Sequence, residues 1–570
     1  MDMAQGKIDG GDGIDSFYTQ TQDYKGPHGY TYIELSNVEN LYTGIYYAVF
    51  TPEQLESFQN IAFSDTDPTK RPQVGVRVSG QTTLDLGAQL HGRGVDIRAN
   101  TGITELRTSD GDDLITGGGD SILDGRGGND KIIGLEGKNT LIGGAGADIL
   151  DGGAGIDTAS YVGSPEGVDV SLTTHVGHGG DAEGDWLGNI ENLTGSSLSD
   201  TLTGDGNANR LDGGEGADTL RGLGGADQLI GGGGVDTADY SASAAAVTVS
   251  LGTGKGLGGD AEGDTLSGVE NLIGSVLGDT LIGDNNANRL DGSDGNDLLN
   301  GDGGADRLVG GAGNDTVTYM TSLAAVQVNL GTGIGHGGRA EGDTLSGIEN
   351  LIGSVLGDTL IGDNNANRLD GGAGNDLLNG DGGADQLVGG AGNDTVTYAT
   401  PLAAVQVNLA TGIGHGGRAE GDTLSGIENL IGTALSDTLV GNTAANRLDG
   451  GLGNDRLTGG SGADTFAFTT APSASNVDTI TDMTVGSDLI SLASSIYSAL
   501  QAGPTPGSLA ASSFRYSTQA STSGGLGEII YNATTGSLSY DADGSGAGAA
   551  RQFAQVSSSL ALSASSFRLA

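Results

Sequence analysis

Apolar residues in the middle of the chain follow neither a helical period nor a simple alternation. From Gly213 the sequence reads GGEGADTLR, GLGGADQLI, GGGGVDTAD. Each nonapeptide has the form G-G-x-G-x-D-x-U-x, where U is apolar, so one position in nine carries the burial. The GGxGx part suits a tight turn, because glycine adopts positive φ and lets backbones approach. The three residues after the Asp suit a short strand, with U on one face and its polar neighbours on the other. Two nonapeptides then make one coil of 18 residues, strand-turn-strand-turn, and stacked coils bury a thin column of Leu, Ile and Val. The predicted fold class is all-β, a parallel two-sided solenoid.

A longer period contains the shorter one. Asp200, Asp279, Asp358 and Asp437 recur every 79 residues, as do Asp157, Asp236, Asp315 and Asp394, and Tyr161, Tyr240, Tyr319 and Tyr398. Residues 263–292 and 342–371 differ only at Val269 against Ile348. Each unit holds five nonapeptides and then 34 residues with strand-like runs such as AAVTVSL and DTLSGVENLIG. These inserts are expected to continue the coil rather than loop out. The coil period stacks Asp200, Asp218 and Asp236 along one edge, with Asn209 and Asp227 along the other.

Composition changes the picture through charge. The 570 residues include 109 Gly and only 4% aromatics, too little large apolar surface for conventional domains. Asp plus Glu number 73 against 24 Lys plus Arg, a formal net charge of -49. Self-repulsion at that level opposes compaction unless a cation offsets it. The absence of a basic patch excludes nucleic acid as a partner and argues against an anionic membrane surface. Cys is absent, which removes disulfides, thiol catalysis and Cys-type zinc sites. No apolar run is long enough to span a bilayer. The N-terminal MDMAQGKIDGGDGID lacks the basic and apolar regions of a cleavable secretory signal. Stacked carboxylates flanked by turn carbonyls form an array of hard oxygen donors, which suits Ca²⁺ better than the strictly octahedral Mg²⁺.

Over residues 108–468 the pattern resembles the RTX (repeats-in-toxin) calcium-binding nonapeptides of secreted Gram-negative proteins. The resemblance implies a right-handed parallel β-roll that holds multiple Ca²⁺ ions through the sixth-position Asp and backbone carbonyls of adjacent turns. On the motif this role falls to Asp113, Asp130, Asp148, Asp157, Asp200, Asp218, Asp227, Asp236, Asp279 and Asp297. It falls equally to Asp306, Asp315, Asp358, Asp376, Asp385, Asp394, Asp437, Asp455 and Asp464, with Asp15 an outlying match. Asn139, Asn209, Asn288, Asn367 and Asn446 stand at the same position without the charge and are expected to bind more weakly. Ser121 is expected to mark a gap in the ladder.

The two ends differ from the repeat. Residues 469–570 are less Gly-rich and are expected to form strands that close the roll, which otherwise ends on exposed apolar groups and strand edges. GEIIYNATTGSLSYDADGSG and the final FAQVSSSLALSASSFRLA resemble the C-terminal domain of serralysin-type proteins, implying export by the type I secretion machinery. Asp541 and Asp543 resemble an EF-hand start, but Gly544 comes too early, and a hairpin turn is the preferred reading. Residues 1–107 read as a strand-rich region. GGDGIDSFYTQ followed by IELSNVENLYTG echoes the later repeat, and Tyr30, Tyr32, Tyr42, Tyr46 and Tyr47 suit a cap or core, or else a contact surface for self-association or attachment.

No enzyme is legible. HExxH and a strand-to-helix GxSxG are absent. His178, His336 and His415 share one register, but Leu257 breaks it, so they read as solvated loop residues. The acidic triplets Asp181/Glu183/Asp185 and Asp260/Glu262/Asp264 alternate and recur, with Arg339 and Arg418 replacing the first Asp later. They read as an accessory cation site or an ion pair between coils. The expected protein is a secreted, calcium-binding, non-enzymatic structural component of the cell surface or extracellular matrix, a homo-oligomeric lattice or filament. The alternative is an RTX adhesin that binds cell-surface polysaccharide, and after it an RTX enzyme with an unrecognised N-terminal site.

Overall fold

In the computed structural model, residues 103–400, 402–519, 525–544 and 550–570 are described throughout. Before them the described stretches are 6–9, 16–19, 33–36, 40–43, 48–50, 60–63, 73–76, 82–90 and 94–99. Asp15 and Tyr30, Tyr32, Tyr46 and Tyr47 lie outside the described residues. The chain divides into two units, Met1–Gly283 and Asp284–Ala570.

In the first unit short strands stack in parallel, in register, into two sheets. One sheet runs Ile103–Arg107, Ile122–Asp124, Thr140–Ile142 and Thr158–Ser160, then Asn192–Thr194 and Arg210–Gly216. The other includes Leu114–Thr116, Lys131–Ile133 and Ile149–Asp151. The apolar U residues point between them: Leu106, Leu123 and Leu141 from one side, Ile115, Ile132 and Leu150 from the other, all fully buried. Burying each such side chain is worth about 1.5–3 kcal/mol, and one per nonapeptide is the chain's main apolar contribution. The ladder begins before residue 108, since Thr82–Asp85 pairs with Ile103–Arg107 and Asp96–Ala99 with Leu114–Thr116.

The inserts stay on the roll and add a hairpin to it. In the first, Trp186–Gly188 pairs in parallel with Ile149–Asp151, and Asn192–Thr194 with Thr158–Ser160. Ahead of Trp186 in the chain, Asp169–Ser171 and Val176–His178 form an antiparallel hairpin that sits beside Trp186–Gly188, and Asp169–Ser171 pairs onward with Thr201–Thr203. The second insert repeats this with Thr248–Ser250, Lys255–Leu257 and Thr265–Ser267, in the opposite sheet. The period explains the alternation. Seven half-coils make one 79-residue unit, and an odd number returns each copy on the other face.

The second unit is a two-sheet stack of the same kind from Arg289–Asp291 to Leu489–Leu492, with hairpins at Gln327–Asn329/Ile334–His336 and Gln406–Asn408/Ile413–His415. The ladder continues past residue 468, because Asp478–Ile480 pairs with Arg456–Thr458 and Leu489–Leu492 with Thr465–Phe468. Antiparallel strands Glu528–Asn532, Ser537–Asp541 and Arg551–Gln555 follow. Phe553 meets Phe468 edge-on at 5.0 Å between ring centroids, and Tyr497 packs on both Tyr540 and Phe553. An aromatic cluster thus stands where the thin aliphatic column stops. Among the described residues no helix is long and apolar enough to cross a membrane.

Candidate calcium ladder

In the nonapeptide blocks a turn precedes each three-residue strand, and the ladder residue, usually Asp, stands at their junction. Its carboxylate points back along the stack: Oδ1 of one Asp accepts the backbone N–H of the ladder residue one coil earlier. Asp130 Oδ1 takes the Asp113 amide at 2.6 Å, and Asp148 Oδ1 takes that of Asp130 at 2.7 Å. The two edges are distinct, as the period requires. Asp200, Asp218 and Asp236 form one chain of such bonds, and Asn209 and Asp227 belong to the other. The second unit repeats it through Asp297 to Asp315, Asp358 to Asp376 to Asp394, Asn367 to Asp385, Asp437 to Asp455, and Asn446 to Asp464.

The second oxygen sorts the ladder residues into two classes. Oδ2 is buried and has no hydrogen-bond partner in Asp130, Asp148, Asp157, Asp218, Asp227 and Asp236. The same holds for Asp306, Asp315, Asp376, Asp385, Asp394 and Asp455. A buried carboxylate oxygen without a partner is costly, so these atoms need either a proton or a cation. Burial accordingly pushes their acidity down. Desolvation raises the carboxyl of Asp130 to about 9, of Asp227, Asp306 and Asp385 to about 7, and of Asp148, Asp218 and Asp376 to about 6.

The other class is satisfied by the chain itself. Asp200 Oδ2 accepts the Ser196 amide, while its Oδ1 accepts the Ser196 hydroxyl and the Val168 amide. Asp279 and Asp358 repeat this with Ser275 and Ser354, and Asp437 with Thr433. Asp113 takes the amides of Val95 and Ser109. Asn209, Asn288, Asn367 and Asn446 accept an amide four residues back, from Asp205, Asp284, Asp363 and Asn442. Ser121 fills its ladder position, and its hydroxyl donates to Asn139 Oδ1 at 2.9 Å.

The turn glycines shape the space around the open carboxylates. A Cβ at Gly213 would fall on Asp218 Oδ2. Gly232, at φ +106°, faces the carbonyl of Gly214 one coil earlier, and a Cβ there would collide with it. Among the described residues no three His, Cys, Asp or Glu side chains converge on one point. A cation between coils would therefore have to draw on the open carboxylates and complete its shell with turn carbonyls. Ca²⁺ accepts that donor set, since it takes six to eight oxygens in flexible geometry. Hard oxygen donors, buried unpartnered Oδ2 atoms and close-approaching carbonyls all fit it.

Several ladder members are not nonapeptide residues. Asp185, Asp264, Asp343 and Asp422 take the amides of Asp148, Asp227, Asp306 and Asp385. Glu191, Glu270, Glu349 and Glu428 take those of Asp157, Asp236, Asp315 and Asp394. Past the last nonapeptide, Asp478 and Asp488 take the amides of Asp455 and Asp464. A readable signal exists for all of them: an acid two residues before an apolar one, as in DWL, DTL, ENL, DTI and DLI, without the glycine turn. The acidic triplets do not converge. Asp185 turns inward, and Glu183 accepts the Gly179 amide across a tight turn. Where Arg replaces the first Asp, Arg339 pairs with Asp302 and Arg418 with Asp381. His178, His336 and His415 are exposed at hairpin strand ends. Asp541 Oδ1 accepts the amides of Asp543 and Gly544, a tight turn.

A family model described as the RTX calcium-binding nonapeptide repeat (4 copies) matches residues 98–121, 124–159, 203–238, 282–317, 361–396 and 431–466. The matched segments lie in the nonapeptide blocks; the first two fall within one block, and the inserts separate the others. No curated protein matches the chain.

Proposed function

Because this chain carries RTX calcium-binding nonapeptide repeats, we propose that it is a secreted scaffold without catalytic activity. In this reading it is a surface-layer or extracellular-matrix subunit that folds on Ca²⁺ outside the cell. RTX nonapeptide repeats bind Ca²⁺, and proteins that carry them are generally secreted. The observation that carries the reading is the row of buried carboxylate oxygens without partners, from Asp130 to Asp455. Where Ca²⁺ is scarce those charges oppose folding and the chain stays extended, a form suited to the type I secretion machinery. Extracellular Ca²⁺ near 10⁻⁴–10⁻³ M matches the affinities of extracellular modules, and binding free energy then becomes folding free energy. Repetition along most of the chain supports a structural role, with further copies of the chain as partners in a lattice or filament.

Far-ultraviolet circular dichroism tests the folding step: at pH 8, chelation with EGTA should abolish the β-sheet signal and Ca²⁺ should restore it. Electron microscopy tests the assembly step, with ordered arrays expected only with Ca²⁺. Monodisperse particles under all conditions would sink the structural reading and leave the folding step standing.

Trp186 favours a second reading, a carbohydrate-binding adhesin. It is the chain's one Trp and lies half-exposed on the outer side of its strand, its ring 6.1 Å from that of His175. Aromatic faces of this kind suit sugar rings, and Trp fluorescence during a polysaccharide titration reads this position alone.

A further inference from the structure

The open carboxylates fall in runs. Asp218, Asp227 and Asp236 are consecutive ladder positions with a buried, unpartnered Oδ2. The positions around them are closed by the chain's own donors. Ahead stand Asp200, both oxygens occupied through Ser196 and Val168, and Asn209, whose Nδ2 donates to the Glu191 carbonyl. Behind stand Asp264 and Glu270. Asp264 takes the Asp227 amide on Oδ1 and the Tyr240 hydroxyl on Oδ2, and Glu270 takes the Asp236 amide.

The same sequence of partners recurs at every insert. Tyr161 donates to Asp185, Tyr319 to Asp343 and Tyr398 to Asp422, at 2.9–3.0 Å. In the second unit the Arg339–Asp302 and Arg418–Asp381 ion pairs add a protein cation at this place, where the first unit has Asp181 and Asp260.

We propose that each insert is a calcium-free joint, which ends one block of calcium loops and begins the next with hydroxyl and amide donors, so that the blocks load and fold as separate units. The proposal rests on the reading that the chain folds on Ca²⁺. In a repeat array, cooperativity travels through nearest-neighbour interfaces. Inside a block an ion shared between coils stabilises each interface, so one loaded loop organises the next. At an insert the interface forms from Tyr–Asp, Glu–amide and Ser–Asp bonds instead. A loaded block therefore ends on a finished coil whether or not its neighbour is loaded.

The test uses the full chain with Asp218→Ala, Asp227→Ala and Asp236→Ala combined. A Ca²⁺ titration is followed by hydrogen–deuterium exchange and mass spectrometry, which reads each block on its own peptides. Residues 210–238 should lose their calcium-dependent protection. Residues 114–151, across the first insert, should gain protection at a Ca²⁺ midpoint within about twofold of that in the unsubstituted chain. A midpoint there raised about tenfold or more would mean one cooperative array and would overturn the joint. If the unsubstituted chain shows no calcium-dependent protection anywhere, the calcium reading and the joint fall together. Tyr161→Phe supplies an independent check. Residues 158–160 and 186–188 should then lose protection at Ca²⁺ concentrations that still protect 131–142, and unchanged protection there would overturn the part assigned to the phenol.

Discussion

The Tyr161 hydroxyl donates a 3.0 Å hydrogen bond to Asp185 Oδ2, and both groups are buried. Asp185 Oδ1 meanwhile accepts the Asp148 amide, so one carboxylate is fully served by the protein inside a ladder whose neighbours are not. Removing the phenol oxygen leaves a buried acceptor unpaired. In calcium-saturated protein Tyr161→Phe is expected to cost about 1–3 kcal/mol. Hydrogen-exchange protection of Trp186–Gly188, with and without the substitution, measures that local cost.

The two classes of ladder Asp should respond differently to loss of charge. Asp227→Asn removes a carboxylate whose Oδ2 has no protein partner, and it should lower the number of Ca²⁺ ions bound at saturation. Asp200→Asn alters a carboxylate already engaged by Ser196 and Val168, and it should cost stability while leaving the ion count unchanged. Equilibrium dialysis with radioactive calcium on both variants decides. Equal losses of bound ion would show that the Ser-capped turns also hold metal.

Without Ca²⁺ the ladder predicts an unusual pH dependence. Burial raises Asp130 to about 9 and Asp227, Asp306 and Asp385 to about 7, against an ordinary 3.8. Between about pH 4 and those values the folded chain holds more protons than the unfolded one, so unfolding free energy falls as pH rises. The stability these groups contribute is fully present below the ordinary carboxyl range and is lost as pH climbs through 7 to 9. In protein stripped of Ca²⁺ and kept in calcium-free buffer, β-sheet circular dichroism should therefore be near absent at pH 8 and partly return at pH 5. With Ca²⁺ present, acid should raise the calcium midpoint, because the ion must displace those protons. Metal-free spectra that do not change with pH would contradict the burial of these carboxylates.

The nine-residue period makes the coil, its two edges and its apolar column legible, because each depends on one residue type at one spacing. Val317 illustrates it: the U of its nonapeptide is fully buried, two residues after a ladder Asp. The division between open and closed carboxylates is not legible. It depends on donors that the motif does not include: Ser196 four residues before Asp200, and Tyr161 twenty-four before Asp185. The inserts hide their ladder acids for a related reason. Asp264 and Glu270 keep the acid-x-apolar triplet but lack the glycine turn that marks a nonapeptide, and a hairpin separates them from the preceding block. The ladder's continuation through Asp478 and Asp488 is hidden in the same way.

Glycine content alone does not make every glycine equally necessary, and Gly232 and Gly206 separate the cases. Gly232 adopts φ +106° and faces the Gly214 carbonyl of the preceding coil, so alanine would meet both backbone strain and a collision with main chain that has no room to move. Gly206 lies in an exposed turn without positive φ, and no atom stands within 4 Å of the place a Cβ would take. Gly232→Ala is expected to cost about 2 kcal/mol or more and to raise the calcium concentration needed for folding, because the coils must part where the ion binds. Gly206→Ala should be neutral or gain a few tenths of a kcal/mol by restricting the unfolded chain. Calcium titrations of both variants, followed by circular dichroism, should show a shifted midpoint for the first alone. A matching shift at Gly206 would mean that flexibility in the free chain, rather than close approach between coils, accounts for the glycines.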